Sequence, residues 1–285
     1  MAATAMTDEP SFLTTLLARR SVVIALGAIG TIIFMALFAN WLTPYELAEI
    51  SIRNRLTPPG TNWWLGSDSL GRDVYTRLLY AGQISLSIGL VVALISSLCG
   101  ILIGLLAGYF SKLDAVLSRV IDAMMAFPDI LLAIALVAAL GGSMINIIIA
   151  LSIVYTPRIA RIVRASTFVI RELAYVEAAR ALGVSTWRIL IFHLLRNMVS
   201  PIMVQATFIF AYAMLSEAGL SFLGVGVDPS TPTWGTMINE GRQYLDQASY
   251  LILAPGLAIT VSVLALQIIG DGLRDALDPR IAKEL

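Results

Sequence analysis

The sequence predicts an all-α polytopic membrane protein with six transmembrane helices, and two observations carry that expectation. Of its 285 residues, 58% are hydrophobic and only 13% charged, with a mean hydropathy of +0.84, outside the range of soluble domains. Apolar runs long enough to cross about 30 Å of hydrocarbon then recur along the chain. The formal net charge is zero, so nothing points to nucleic acid. Cys99 is the only cysteine and His193 the only histidine, which removes a disulfide framework, a His/Cys metal cluster and a His-based triad from consideration.

Residues 1-20 form a polar tail that ends in Arg19 and Arg20. Residues 21-41 form the first transmembrane helix. Its apolar run, Ser21–Asn40, is too long for the core of a signal peptide, and no small-residue cleavage site follows it, so it is a retained span. Trp41 and Tyr45 sit where interfacial aromatic anchors belong. Residues 42-82 form an extracytoplasmic loop, punctuated by Pro44, Pro58, Pro59 and Gly60 and closed by an amphipathic return helix.

The other five spans make a core over residues 83-270. In the second, Gln83–Tyr109, the small residues Ser96, Gly100, Gly104 and Gly108 recur every four places. They fall on one face, which suits close helix packing. The third ends at Leu140 and contains Asp122, Pro128 and Asp129. Pro128 removes one backbone hydrogen bond and predicts a kink within the span. Asp129 lies deep enough to be either a pathway carboxylate or a helix-end residue bonded to backbone. The fourth span runs from about Met144 into Pro157, and Arg158, Arg161 and Arg164 beyond it are expected to snorkel to the interface. The fifth, Val199–Leu223, holds Glu217 near one end as a second candidate pathway carboxylate. The sixth is Leu251–Ile269, and residues 271-285 form a tail.

Between the fourth and fifth spans, residues 171-197 are a long stretch that cannot lie in a membrane. Glu172–Leu182 is rich in strong helix formers. Gly183 stands where a left-handed residue ends a helix, and Ser185 can N-cap a second one. A protruding knob of two short helices is expected.

Several of these stretches carry a resemblance. Glu177-Ala178-Ala179, then Gly183, Ile191 and His193, resembles the EAA loop of ABC-importer permeases. Leu65-Gly66-Ser67-Asp68, Gly71-Arg72-Asp73-Val74 and Thr76-Arg77-Leu78 are similar to the LGTDxxGRDVxSRL signature of the dipeptide, oligopeptide and nickel branch, second (C-type) subunit. Ser216–Gly224, Pro232–Met237 and Gly270–Pro279 resemble further stretches of the same branch. Four positions depart from it: Ser67 and Thr76 mildly, Gln267 conservatively, and Arg196 where a proline is usual before the fifth span.

The resemblance implies a type I importer permease whose cytoplasmic EAA coupling helix docks on an ATPase through Glu177, Ala178, Ala179, Gly183 and Ser185. It implies a second, B-type permease, two ATPase subunits and an extracytoplasmic substrate-binding protein as partners, in a bacterial inner membrane. The cargo it implies is a dipeptide or oligopeptide, with nickel or another small solute as the alternative. The only lysines, Lys112 and Lys283, follow no GxxxxG stretch, so this chain is not the ATPase; ATP and Mg belong to the partners, and no enzymatic role or metal site is expected here. With the N terminus in the cytoplasm, 14 of the 19 basic residues fall on the cytoplasmic side, as the positive-inside rule favours. An ion-coupled secondary transporter using Asp129 and Glu217 is the rival class, but no repeated halves support it.

Overall fold

The computed structural model describes residues 16–277. The stretch Met1–Pro10, and Pro279, Arg280 and Lys283 in the tail, lie outside them. Helix α1 (Arg20–Leu37) is followed after one residue by a single turn at Ala39–Leu42. Helix α2 (Val74–Tyr109) starts well before Gln83. The return helix expected in the preceding loop is therefore the first part of α2. Asp73 sets that start: its carboxylate accepts from the Thr76 N–H at 2.7 Å and the Thr76 hydroxyl at 2.6 Å, satisfying donors that an uncapped helix leaves unpaired.

The third span is not one kinked helix. Helices α3 (Ser111–Met125) and α4 (Asp129–Leu140) meet at 97°. Pro128 is not inside a helix but extended immediately before α4, where its missing N–H costs nothing. At a rise of 1.5 Å per residue α4 is only about 18 Å long and cannot cross alone. Five helices are individually long and apolar enough to cross, and α3–α4 is the sixth if the bent pair is one span.

Helix α5 (Met144–Ile170) passes straight through Pro157. A proline forfeits one ladder bond, and packing of the flanking turns on α2 holds the helix together. Helix α6 (Ala174–Ala181) belongs to the knob. From Thr186 the chain is helical again, through a wide π-type turn at Ile189–Leu194 and a tight 3-10 turn at Leu195–Met198, into α7 (Val199–Phe222). Arg196 lies exposed in that tight turn, so the chain enters α7 without the usual proline. A buried helix the sequence did not announce, α8 (Trp234–Gly241), precedes α9 (Tyr250–Leu277). Thr233 and Thr236 cap α8 reciprocally.

The main seam is α2 against α5. Ser96 donates to the Ser152 carbonyl at 3.2 Å. A Cβ at Gly100 would lie 2.5 Å from Ile159 Cβ, one at Gly104 2.7 Å from the Ala160 carbonyl oxygen, and one at Gly108 2.5 Å from Thr167 Cβ. The four small residues thus bring the two backbones together, the packing device available where lipid supplies no hydrophobic contrast. One apolar cluster follows this seam from Ile147 down to Val176 and Ala179 in the knob. A second joins α1, α8 and α9 around Trp234.

Candidate functional site

The knob is built on a helix stop. Gly183 has φ +75°, a conformation in which a Cβ is strained. Its N–H donates to Arg180 O, and the next N–H, Val184, reaches back to Ala179 O, both at 3.0 Å. That pair of bonds is a Schellman motif, in which the carbonyls at a helix end find donors. Arg171 anchors the knob's base by donating to Gly108 O at 2.8 Å.

Of the expected docking residues, Glu177 and Ala178 face outward while Ala179 is buried against the chain's own core beside Val176. Ala179 thus serves internal packing, because the helix turns it some 100° from Ala178. Ser185 does precede the second helical stretch, but its hydroxyl makes no cap bond. Only its carbonyl is used, accepting from Ile189 N–H. Ser185 is exposed, so water can hydrate the first N–H groups. Around the bend, Leu182 is 84% and Trp187 62% exposed, an unusual display for large apolar side chains outside a membrane. Beside them lies a polar cleft of about 420 Å³ lined by Tyr109, Ser111, Arg171, Glu172 and Arg180.

The two candidate pathway carboxylates differ in placement. Asp129, the first residue of α4, is ion-paired with Arg158 of α5. Asp122 pairs with Arg161 at 2.7 Å, and Asp114 with Arg164 at 2.9 Å. The three arginines therefore do not snorkel singly; each ties α5 to an acid on α3 or α4. Sequence reasoning singled out the arginines and two of the acids but had no signal for their registration across the 97° bend. Glu217 is fully buried, so it lines no open surface. It accepts from Ser221 at 2.8 Å and Ser85 at 3.4 Å, and Ser85 in turn accepts from Trp234 N–H at 3.1 Å. Its place is to pin α8 between α2 and α7.

A further cluster escaped the sequence. Arg77, almost wholly buried, donates to Asp68 and to Glu240, each at 2.6 Å. Arg72 contacts the same two acids at 2.6 and 3.0 Å. Asp68, Arg72 and Arg77 come from the glycine-punctuated loop and the start of α2, and Glu240 from α8. In the loop before α8, Ser230 donates its hydroxyl and N–H to Asp228 and holds that carboxyl below its usual range. Among the described residues, no group of three or more His, Cys, Asp or Glu is placed to hold a metal.

Residues 100–283 match the family described as the inner membrane component of binding-protein-dependent transport systems. Residues 11–59 match the N-terminal transmembrane domain of oligopeptide transport permease C. The chain is 49% identical over 269 residues to a putative peptide transport system permease protein of Brucella suis, covering 94% of this chain and 91% of that one. It is 40% identical to a dipeptide transport system permease protein of Alkalihalophilus pseudofirmus, over 91% and 86% of the two chains. It is 44% identical to a glutathione transport system permease protein of Escherichia coli, over 88% and 83%. In fold, it resembles a chain of the inward-facing methionine ABC transporter MetNI, with a TM-score of 0.57 at 20% identity, covering 73% of this chain and 95% of that one. The chain therefore belongs to the inner membrane permeases of binding-protein-dependent ABC importers, in the peptide-transport branch and of its C type.

Proposed function

We propose that this chain is one half of the translocation pathway of an ATP-driven importer of dipeptides or oligopeptides. A homologous B-type permease supplies the other half, two ATPase subunits dock on the knob, and an extracytoplasmic binding protein delivers the cargo. The relatives named for peptide, dipeptide and glutathione transport support the cargo class. ATP and Mg act in the partner subunits. The N and C termini and the knob lie in the cytoplasm, as the distribution of basic residues favours. In a Cys99→Ser background, Thr61→Cys should react with a membrane-impermeant thiol reagent in intact cells and Ser185→Cys should not; the reverse labelling would overturn this orientation.

The observation that carries the coupling role is the knob: a helix stopped by a left-handed glycine, presenting Glu177, Leu182 and Trp187 to the outside. Its buried side, Val176 and Ala179, joins the same apolar cluster as α2 and α5. A push on the exposed side is therefore transmitted to the bundle as a rigid-body displacement. Gly183→Val tests this. Nothing lies within 4 Å of an added Cβ at Gly183, so only the backbone conformation is penalised, by about 1–2 kcal/mol. The variant should insert and purify with the second permease, yet lose co-purification of the ATPases or stimulation of hydrolysis by loaded binding protein. Retention of both would remove the knob from the coupling path.

A further inference from the structure

Of the three α5 pairs, Arg158–Asp129 lies nearest that helix's first residue, and it is the one flanked by two tyrosine rings. Arg158 is fourteen residues into α5, about 21 Å from that helix's first residue. Asp129 is about 17 Å from the far end of α4. With Met144 taken as one edge of a hydrocarbon layer about 30 Å thick, the pair falls inside it. Yet the side chains are 31% and 34% exposed on the surface of the single chain. Charged groups at that depth are several kcal/mol too costly to face lipid. The surface they open onto must be hydrated or face another polar wall.

Each charge also has a support independent of its partner. The Arg158 guanidinium lies 5.4 Å from the Tyr155 ring centre and 5.1 Å from that of Tyr212, where the ring faces attract a cation. Tyr155 is itself buried and fixed by a 2.7 Å bond between its hydroxyl and Ser216. Asp129 occupies the first turn of α4, where the helix dipole favours a carboxylate. These supports are partial: they ease separation of the pair but do not replace a full counter-charge.

We propose that Arg158 and Asp129, with the exposed ring of Tyr212 beside them, form a contact site for the charged ends of a peptide in transit. Arg158 takes the α-carboxylate through its two-pronged donor geometry, and Asp129 takes the α-ammonium. A zwitterion inserted between them exchanges one ion pair for two. Neither a lone anion nor a lone cation can do so without leaving the other protein charge unpaired, so the site selects molecules that carry both ends. The site rests on the peptide-importer reading and adds to it the residues and chemistry that meet the cargo inside the membrane.

The competing role is a plain strap between α4 and α5, and the test separates the two. The complete importer, with its second permease, ATPases and binding protein, is reconstituted and uptake of radiolabelled alanyl-alanine measured. Arg158→Gln and Asp129→Asn should each lower uptake at least about tenfold, the loss of one charge-assisted contact. The double variant, and the exchanged pair Asp129→Arg with Arg158→Asp, should stay equally low even though the exchanged pair can rebuild a strap. Recovery of uptake in the exchanged pair would overturn the site. Should none of these variants assemble, Tyr212→Ala and Tyr212→Phe still decide. The first leaves the ion pair intact and should lose at least about threefold, one exposed cation–π contact, while the second should transport normally. Unchanged uptake in Tyr212→Ala overturns the site as well. If the unaltered importer takes up neither alanyl-alanine nor a longer peptide, the peptide reading fails first, and the ligand assigned to this pair fails with it.

Discussion

The two ends of this permease hold their arginines in opposite ways. At the loop end, Arg77 is 4% exposed and shared between Asp68 and Glu240, with Arg72 braced against the same acids. Loop, α2 and α8 are thereby locked into one unit. Toward the knob end, Arg161 and Asp122 are 49% and 67% exposed, and each has the other as its ion-pair partner. The energetic consequence differs by several kcal/mol. Removing one member of a buried pair strands a desolvated charge, whereas an exposed pair is hydrated whether or not it forms. A transporter that alternates between two shapes needs one end that does not rearrange and another whose contacts can be broken cheaply. Arg77 and Arg161 mark the extremes of that division, and Arg164, paired with Asp114 at 30% and 21% exposure, lies between them.

The strongest way to break the comparison is at Arg77. Arg77→Leu keeps part of the apolar stem and removes the charge, leaving Asp68 and Glu240 facing Arg72 alone. It should lower the stability of the purified complex by about 3–5 kcal/mol, read as a large fall in thermal denaturation temperature or as failure to extract a monodisperse protein. Stability within about 1 kcal/mol of the parent would mean that the loop end is no more rigid than the knob end.

An intermediate effect is expected on the seam that joins the ends. Gly104→Val adds a branched side chain where the first carbon alone would sit 2.7 Å from the Ala160 carbonyl oxygen. Because that neighbour is backbone, α2 and α5 must move apart, at about 1–3 kcal/mol. Uptake should fall with stability if, as proposed, the seam carries displacement from the knob to the other end. A stable Gly104→Val protein with normal uptake would show that the two ends communicate by another route.

How much of this could be read from the residues differs from place to place. The spans were legible because hydrophobicity is a local property, and the Gly183 stop because only glycine adopts that backbone freely. The small stripe on α2 was legible as a packing face, though not its partner α5. The misreadings share one cause: partners brought together by tertiary structure. Pro128 read as a kink within one span, and Asp129 stayed open between a pathway carboxylate and a helix-end residue, because a one-dimensional pattern does not show a 97° turn or the arginine waiting across it. Glu217 read as a pathway group because depth along a helix does not reveal which face is covered, and Ser85, Ser221 and α8 cover it. Ala178 and Ala179 look alike in sequence, and only the helix's rotation sends one outward and the other into the core. The α2 start was legible after all, in Asp73 followed three residues later by Thr76.

The smallest effect sharpens the comparison most. Arg161 and Asp122 form a hydrogen bond of 2.7 Å, against 2.6 Å for Arg77 to Asp68, so distance alone would rank the two pairs nearly equal. Exposure ranks them differently. Two hydrated side chains gain little Coulomb energy and lose rotamer freedom on pairing, so the pair should contribute about 0–1 kcal/mol. A double-mutant cycle with Arg161→Gln and Asp122→Asn should return a coupling energy in that range, shrinking further at high salt as screening shortens the reach of each charge. The same cycle on Arg77 and Asp68 should give a larger coupling that salt alters less, because those two side chains are only 4% and 6% exposed. Equal couplings at the two ends, or equal sensitivity to salt, would mean that burial does not set the strength of these pairs, and the division between a fixed end and a yielding one would lose its physical basis.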